Sequence, residues 1–174
     1  MKDIVKAEFE ASINQLVGKP CWGFVAGAPR GSVVSLDIGR KLPSESPRKN
    51  THLTVEQRRY DAEFILFIHC VWRLDSKSKV VCGAWSDNRK GGAMLKGLQR
   101  LVGEVIHSVS LSKPAFDLQL TFSNKLVLSV FCDAVNEADE YDNYSLFLPT
   151  VIYTVGTWSR LSREHRSEAV MKRK

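Results

Sequence analysis

The sequence predicts an α+β fold: two helix-plus-antiparallel-sheet repeats packed as one domain. Three observations lead there. Apolar residues recur at the 3.6-residue helical period in two segments and at the two-residue strand period in several others. The tripeptide Leu-Val-Gly, led in by Gln and followed by a charged residue, occurs twice, in "NQLVGK" at 14–19 and "QRLVGE" at 99–104. The elements after each copy come in one order: strand, turn, strand, loop or turn, and a strand ending in Cys. One domain then spans 1–156, with repeats over about 3–84 and 92–154, and 157–174 is a basic C-terminal tail.

Residues 3–17 read as a helix, with Ile4, Val5, Phe9, Ile13, Leu16 and Val17 on one face, Asp3 as its cap and Gly18 as its stop. "CWGFVAG" and "SVVSLDIG" are short strands around a Gly-Ala-Pro-Arg-Gly turn. Residues 40–60 are polar, with prolines at 43 and 47, and make a long loop that the second repeat lacks. "EFILFIHCVWRL" reads as one long strand, and "VVCGAW" as its hairpin partner across "DSKSK". "GAMLKGLQRLVG" is the second helix, with Met94, Leu95, Leu98, Leu101 and Val102 inward and Gly103 closing it. "EVIHSVSL", "FDLQLTF" and "LVLSVFCD" are the strands after it. In the middle one Phe116, Leu118, Leu120 and Phe122 face in, by strict alternation. "SLFLPTVIYTVG" reads as a last strand with a bend or edge at Pro149, and "SRLSREHRSEAVM" as helical.

The composition is that of a globular protein able to bury a core: 44% hydrophobic and 25% charged over 174 residues. No apolar run reaches the roughly 18–20 residues that cross a bilayer. The N-terminus carries Asp3, Glu8 and Glu10 where a signal peptide would be apolar, so a cytoplasmic location is expected. The net charge of +6 is concentrated in the 40–60 loop and the tail, with the acidic stretch "DAVNEADEYD" between them. Cys21, Cys70, Cys82 and Cys132 are widely spaced, form no Cys-x-x-Cys pair, and read as reduced, buried small hydrophobes.

The string "LVGEVIHSVSL…FDLQLTFSNKLVLSVFCDA" resembles small bacterial domains of unknown function found in toxin–immunity neighbourhoods. Their pattern is Leu-x-Gly-x-x-apolar, a variable turn, then Leu-x-Phe-(Ser/Asp)-(Asn/Gly)-x-x-Leu-x-apolar. The likeness covers roughly 98–133, more loosely 14–83, and departs from the pattern at Lys125, where such hairpins more often place Gly. It is a structural motif, a helix end and a hairpin, and carries over no catalytic residue.

No motif with catalytic spacing appears. His69, Cys70 and Cys132 offer zinc-type donors, but neighbours on a strand point to opposite faces, so core packing is the expected role. Cys21 with His52, His107 or His165 lacks any local signature of a nucleophile–base pair. "GAPRG" and "RKGGA" have neither dinucleotide-binding nor Walker spacing. Of the four tryptophans, Trp85 is the one expected to be exposed. No cofactor and no metal are implied.

The expected function is a non-enzymatic binding protein with a protein partner, which the resemblance sharpens to an immunity protein that neutralises a cognate toxin by direct contact. The expected contact surface is Asp133, Glu137, Asp139, Glu140, Tyr141, Asp142 and Tyr144, because acid favours a basic partner and Tyr is a common interface anchor. The alternative is a nucleic-acid-associated accessory module that uses Arg40, Lys41, Arg48, Lys49, Arg58 and Arg59 with the basic tail. One aromatic in that loop is poor provision for base stacking. No membrane partner is expected.

Overall fold

The computed structural model describes residues 2–135 and 142–166. The chain runs α1 (Lys2–Asn14), β1 (Cys21–Gly27), β2 (Gly31–Pro43), α2 (Val55–Arg59), β3 (Tyr60–Ile68), β4 (Val71–Asp75), β5 (Val80–Gly83), α3 (Ala93–Gln99), β6 (Ile106–Ser112), β7 (Asp117–Phe122), β8 (Val127–Phe131), β9 (Tyr144–Phe147), β10 (Val151–Val155) and β11 (Leu161–His165). The fold is mixed α+β and every strand pair is antiparallel. One sheet has the order β1-β2-β3-β9-β10-β11, the other β5-β4-β8-β7-β6. Their inner faces, with α1 and α3, bury one continuous core that includes Phe9, Leu36, Leu66, Trp72, Leu98, Phe122 and Tyr144. Phe9 packs edge-on against Phe116, just before β7, at 6.0 Å and tilted against Tyr153 of β10 at 5.6 Å, plugging α1 between the two sheets.

Each sheet joins three consecutive strands of one half of the chain to later strands of the other. Strand β3 pairs with β9, and β8 pairs with β4. The two Leu-Val-Gly segments meet face to face. The Gly18 N–H donates to the Ile106 carbonyl and the Gly103 N–H to that of Cys21; the Cys21 N–H donates to Glu104 and the Ile106 N–H to Lys19. Both glycines take left-handed φ angles, +80° and +91°, which let the chain leave each helix and turn into that bridge.

Several sequence expectations need correction. "EFILFIHCVWRL" is not one strand. It breaks at His69 and Cys70, whose N–H groups both donate to the Asn143 carbonyl, and the chain passes there from one sheet to the other. Asn143, 1% exposed, is held by the Gly156 carbonyl and the Ala134 N–H, so a single buried amide pins the crossover. "SLFLPTVIYTVG" is a hairpin, β9–β10, with Pro149 in a tight turn closed by the Leu148 N–H on the Val151 carbonyl. Residues 161–165 form a strand paired with β10, so the sheet continues beyond 156. The loop is shorter than 40–60, because 40–43 continue β2 and 55–59 are α2. Ile4 and Val17 are exposed rather than inward. Lys125 stands at φ +66°, a left-handed conformation that glycine adopts more readily than lysine.

A bulge in β2 builds a polar anchor. Gly39 has φ +85°, and a Cβ there would lie 2.6 Å from Glu63 Oε2. The vacated space lets the Glu63 carboxylate accept from the Arg40 N–H at 2.9 Å and from Lys19 Nζ at 3.1 Å, with Arg40 Nε at 3.4 Å. Burial alone would raise the Glu63 pKa, but these hydrogen bonds and the two positive charges outweigh it and hold it below its ordinary value. The folded value is thus depressed, so Glu63 adds stability above its unfolded value and loses it as pH falls through the folded one. Glu63→Gln is expected to cost about 1–2 kcal/mol at neutral pH in urea unfolding, and progressively less in acid. A cost independent of pH would contradict this account.

Candidate functional site

A groove of about 1630 Å³ opens on one side of the molecule. Its floor is β1, which among the described residues has a strand neighbour on one side only. One wall is the 50–57 segment and α2. The other is α3 with the 88–90 turn. Two glycine turns singled out by sequence, at 27–31 and 89–93, converge at one end, where Asn88 Nδ2 donates to the Gly31 carbonyl at 3.1 Å. Leu95 and Val102, expected to point into the core, are half-buried and line the groove, along with Phe24 and Val25. The seven-residue α3 is too short to cover the neighbouring β1 edge.

Gln57 fixes the first wall. Thr54 and Gln57 form a reciprocal cap at the start of α2: Thr54 Oγ1 accepts the Gln57 N–H, and Gln57 Oε1 accepts the Thr54 N–H. The Gln57 amide Nε2 donates to the Phe24 carbonyl at 3.1 Å and to Asp37 Oδ2 at 2.6 Å. Gly23 makes room for this, since a Cβ there would lie 2.8 Å from Asp37 Oδ2 and 3.1 Å from Gln57 Nε2. Burial raises the Asp37 pKa, partly offset by the Gln57 hydrogen bond and the Arg48 charge. Arg48 holds the loop from its other side through the Gln57 carbonyl at 2.7 Å and a close ion pair with Asp61.

The rim is basic. Arg30, Lys90 and Lys96 stand against Glu56, which is itself paired with Lys41 at 2.8 Å. Trp22 lies at the groove and is 9% exposed; its indole N–H is buried with no acceptor among the described residues. Lys41 Nζ sits 5.4 Å from the centre of that ring.

The sites expected from sequence fare differently. Asp133 and Asp142 are exposed, and Asp133 Oδ1 accepts the Val71 N–H at 3.4 Å. Glu137, Asp139, Glu140 and Tyr141 lie outside the described residues. Tyr144 is no surface anchor: it is fully buried, with its hydroxyl donating to the Phe116 carbonyl at 2.8 Å. Among the proposed phosphate contacts, Arg40, Lys41 and Arg48 are each tied to a carboxylate, on Glu63, Glu56 and Asp61. Arg58 is half-buried, and Lys49 and Arg59 are exposed. Trp85 is exposed as expected, and Trp158 is too.

Cys70 and Cys132, weighed in sequence as zinc donors, do come close, each one residue beyond the paired Val71 and Phe131 at the end of the β4–β8 ladder. His69 turns elsewhere, packing edge-on against Phe67 at 4.3 Å, and no group of three metal-ligating side chains occurs among the described residues. Burial pushes the Cys21 thiol up to about 12, which keeps it protonated at neutral pH and a poor nucleophile. No helix among the described residues is long and apolar enough to cross a membrane.

No family model, curated protein or solved structure matches the chain. What it does must be read from its own surface.

Proposed function

We propose that this chain is a non-enzymatic binding protein that takes an extended, acidic and apolar segment of a protein partner into the groove along β1. The observation that carries the reading is the groove's floor: an edge strand, half-buried between two walls, with a cationic rim. An extended peptide laid there adds a strand to the sheet, exchanging main-chain hydrogen bonds and seating alternate side chains on Phe24, Leu95 and Val102. The excess of Arg30, Lys90 and Lys96 over Glu56 favours an acidic segment and excludes a basic one.

The two halves also read as one copied unit, with Gly18 and Gly103 at the join. The exchange of strand orders and the reciprocal hydrogen bonds between the two joins support this. The counterpart of the groove, between α1 and the edge strand β6 of the second sheet, is only a 210 Å³ depression, spanned by a Lys113–Glu10 ion pair at 2.9 Å. There a thirteen-residue helix lies beside the edge, whereas α3 leaves its edge open. Divergence at this one place supports the open edge as the working surface.

The sharpest form of the reading is a cytoplasmic, immunity-type protein that occupies an acidic segment of a toxin and thereby silences it. Use of the 40–60 cations for phosphate is the weaker reading, since three of the six are spent on carboxylates.

The test is titration with a short peptide alternating valine and glutamate, its valine–lysine counterpart, and a thymidine single strand, followed by tryptophan fluorescence and calorimetry. The acidic peptide is expected to bind, and the double variant Lys90→Glu, Lys96→Glu to weaken it by about tenfold or more. Preference for the oligonucleotide, or indifference to the charge reversal, would discard the proposal.

A further inference from the structure

We propose that Cys70 and Cys132 are a reversible disulfide-forming site that fastens together the two places where the chain crosses between sheets. The pairing of β4 with β8 runs Val71 opposite Phe131 and Trp72 opposite Val130, so one step further Cys70 stands opposite Cys132. The Trp72 carbonyl accepts from Ala84, on the side away from β8, which makes Trp72 and Val130 a non-hydrogen-bonded pair. Alternation gives Cys70 and Cys132 the same character, consistent with the Cys70 N–H donating instead to Asn143. Non-hydrogen-bonded pairs bring Cα atoms to about 4.5 Å, within the range a disulfide spans. Both side chains share the inward face with Trp72 and Val130, Cys70 within the core and Cys132 packed against it. Cys70 is 8% exposed and Cys132 half-buried, so an oxidant meets Cys132 first.

The chemistry is thiol–disulfide exchange with a low-molecular-weight disulfide. The Cys132 sulfur, as thiolate, attacks one sulfur of oxidised glutathione; the S–S bond breaks and one glutathione leaves with a proton. The Cys70 sulfur then attacks Cys132 and expels the second glutathione, which takes the other proton. The protein loses two hydrogens and one glutathione disulfide becomes two thiols. The hydrogen bond from Cys70 and burial both push the Cys132 pKa up, so the first attack is slow at neutral pH and calls for long incubation. Cys21 and Cys82 are each deeply buried, and burial raises Cys82 to about 11.

The experiment incubates the native full-length chain with oxidised glutathione, then counts thiols, weighs the intact protein and maps peptides. The expected result is loss of two of the four thiols, a mass lower by two hydrogens, and a Cys70–Cys132 linked peptide. Because the bridge closes a long loop, the thermal midpoint should rise by roughly 5–10 °C and return on reduction. Cys132→Ser, at the half-exposed position, should keep its remaining thiols and show no shift. If that variant does not fold, the wild-type peptide map decides alone. Retention of all four thiols, a stable glutathione adduct on Cys132, or a bridge through Cys21 or Cys82 would overturn the assignment.

Discussion

Trp72→Ala should lower the unfolding free energy by about 4 kcal/mol, the upper part of the range for a large buried aromatic. Trp72 is 1% exposed, on β4 at the centre of the core, and its indole N–H donates to the Ser32 carbonyl at 2.7 Å. It therefore does two things: it fills volume in one sheet and ties that sheet to β2 of the other. Truncation removes the packing and leaves the Ser32 carbonyl without its donor. Against a total of roughly 5–15 kcal/mol for a domain, this is a large share. Trp72→Phe separates the effects, because it keeps most of the ring and loses the hydrogen bond, at an expected cost of about 1–2 kcal/mol. Urea midpoints for the three proteins test both numbers, and a Trp72→Ala loss under about 1 kcal/mol would mean that the two sheets are not joined in this way.

Gly97→Ala is the second large effect, and its sign runs against helix propensity. In an exposed helix Ala in place of Gly gains about 1 kcal/mol. Here α3 lies so close on β5 that a Cβ at 97 would stand 2.3 Å from Cys82 Sγ and 2.9 Å from Cys82 Cβ. Overpacking of that kind costs about 1–3 kcal/mol and, with so short a contact on a fully packed sheet, should outweigh the propensity gain. A net loss of about 2 kcal/mol is expected. Cys82→Ala in the same chain removes the offending sulfur and should return much of that loss, giving a coupling energy on the order of 1–2 kcal/mol in a double-mutant cycle. If Gly97→Ala alone is stabilising, the close seat of α3, and with it the wall of the groove, is misplaced.

Much of the local structure was legible because it follows from period and punctuation. The alternation in "FDLQLTF" and the glycines after Leu16-Val17 and Leu101-Val102 led to elements that appear where expected. Other features were hidden for physical reasons. A run such as "EFILFIHCVWRL" keeps its apolar pattern through a break, since both sides of the break are buried. Only Asn143, more than seventy positions later, supplies the carbonyl that bends it. Tyr144 looked like a surface anchor because a polar loop precedes it; its hydroxyl finds the Phe116 carbonyl inside the core, a partner no local window contains. The groove left only faint traces: two glycine turns, and the Leu95 and Val102 positions, which fit an inward helical face equally well.

The sequence by itself determined the two main helices, the clearly alternating strands and where the two Leu-Val-Gly turns fall, because those depend on neighbours within a few residues. Tertiary structure alone decided which strands pair across the halves, that β1 is left as an open edge beside a short helix, and that Cys70 meets Cys132. Each of those depends on contacts between positions tens of residues apart, where the free energy comes from shared burial rather than from any local preference.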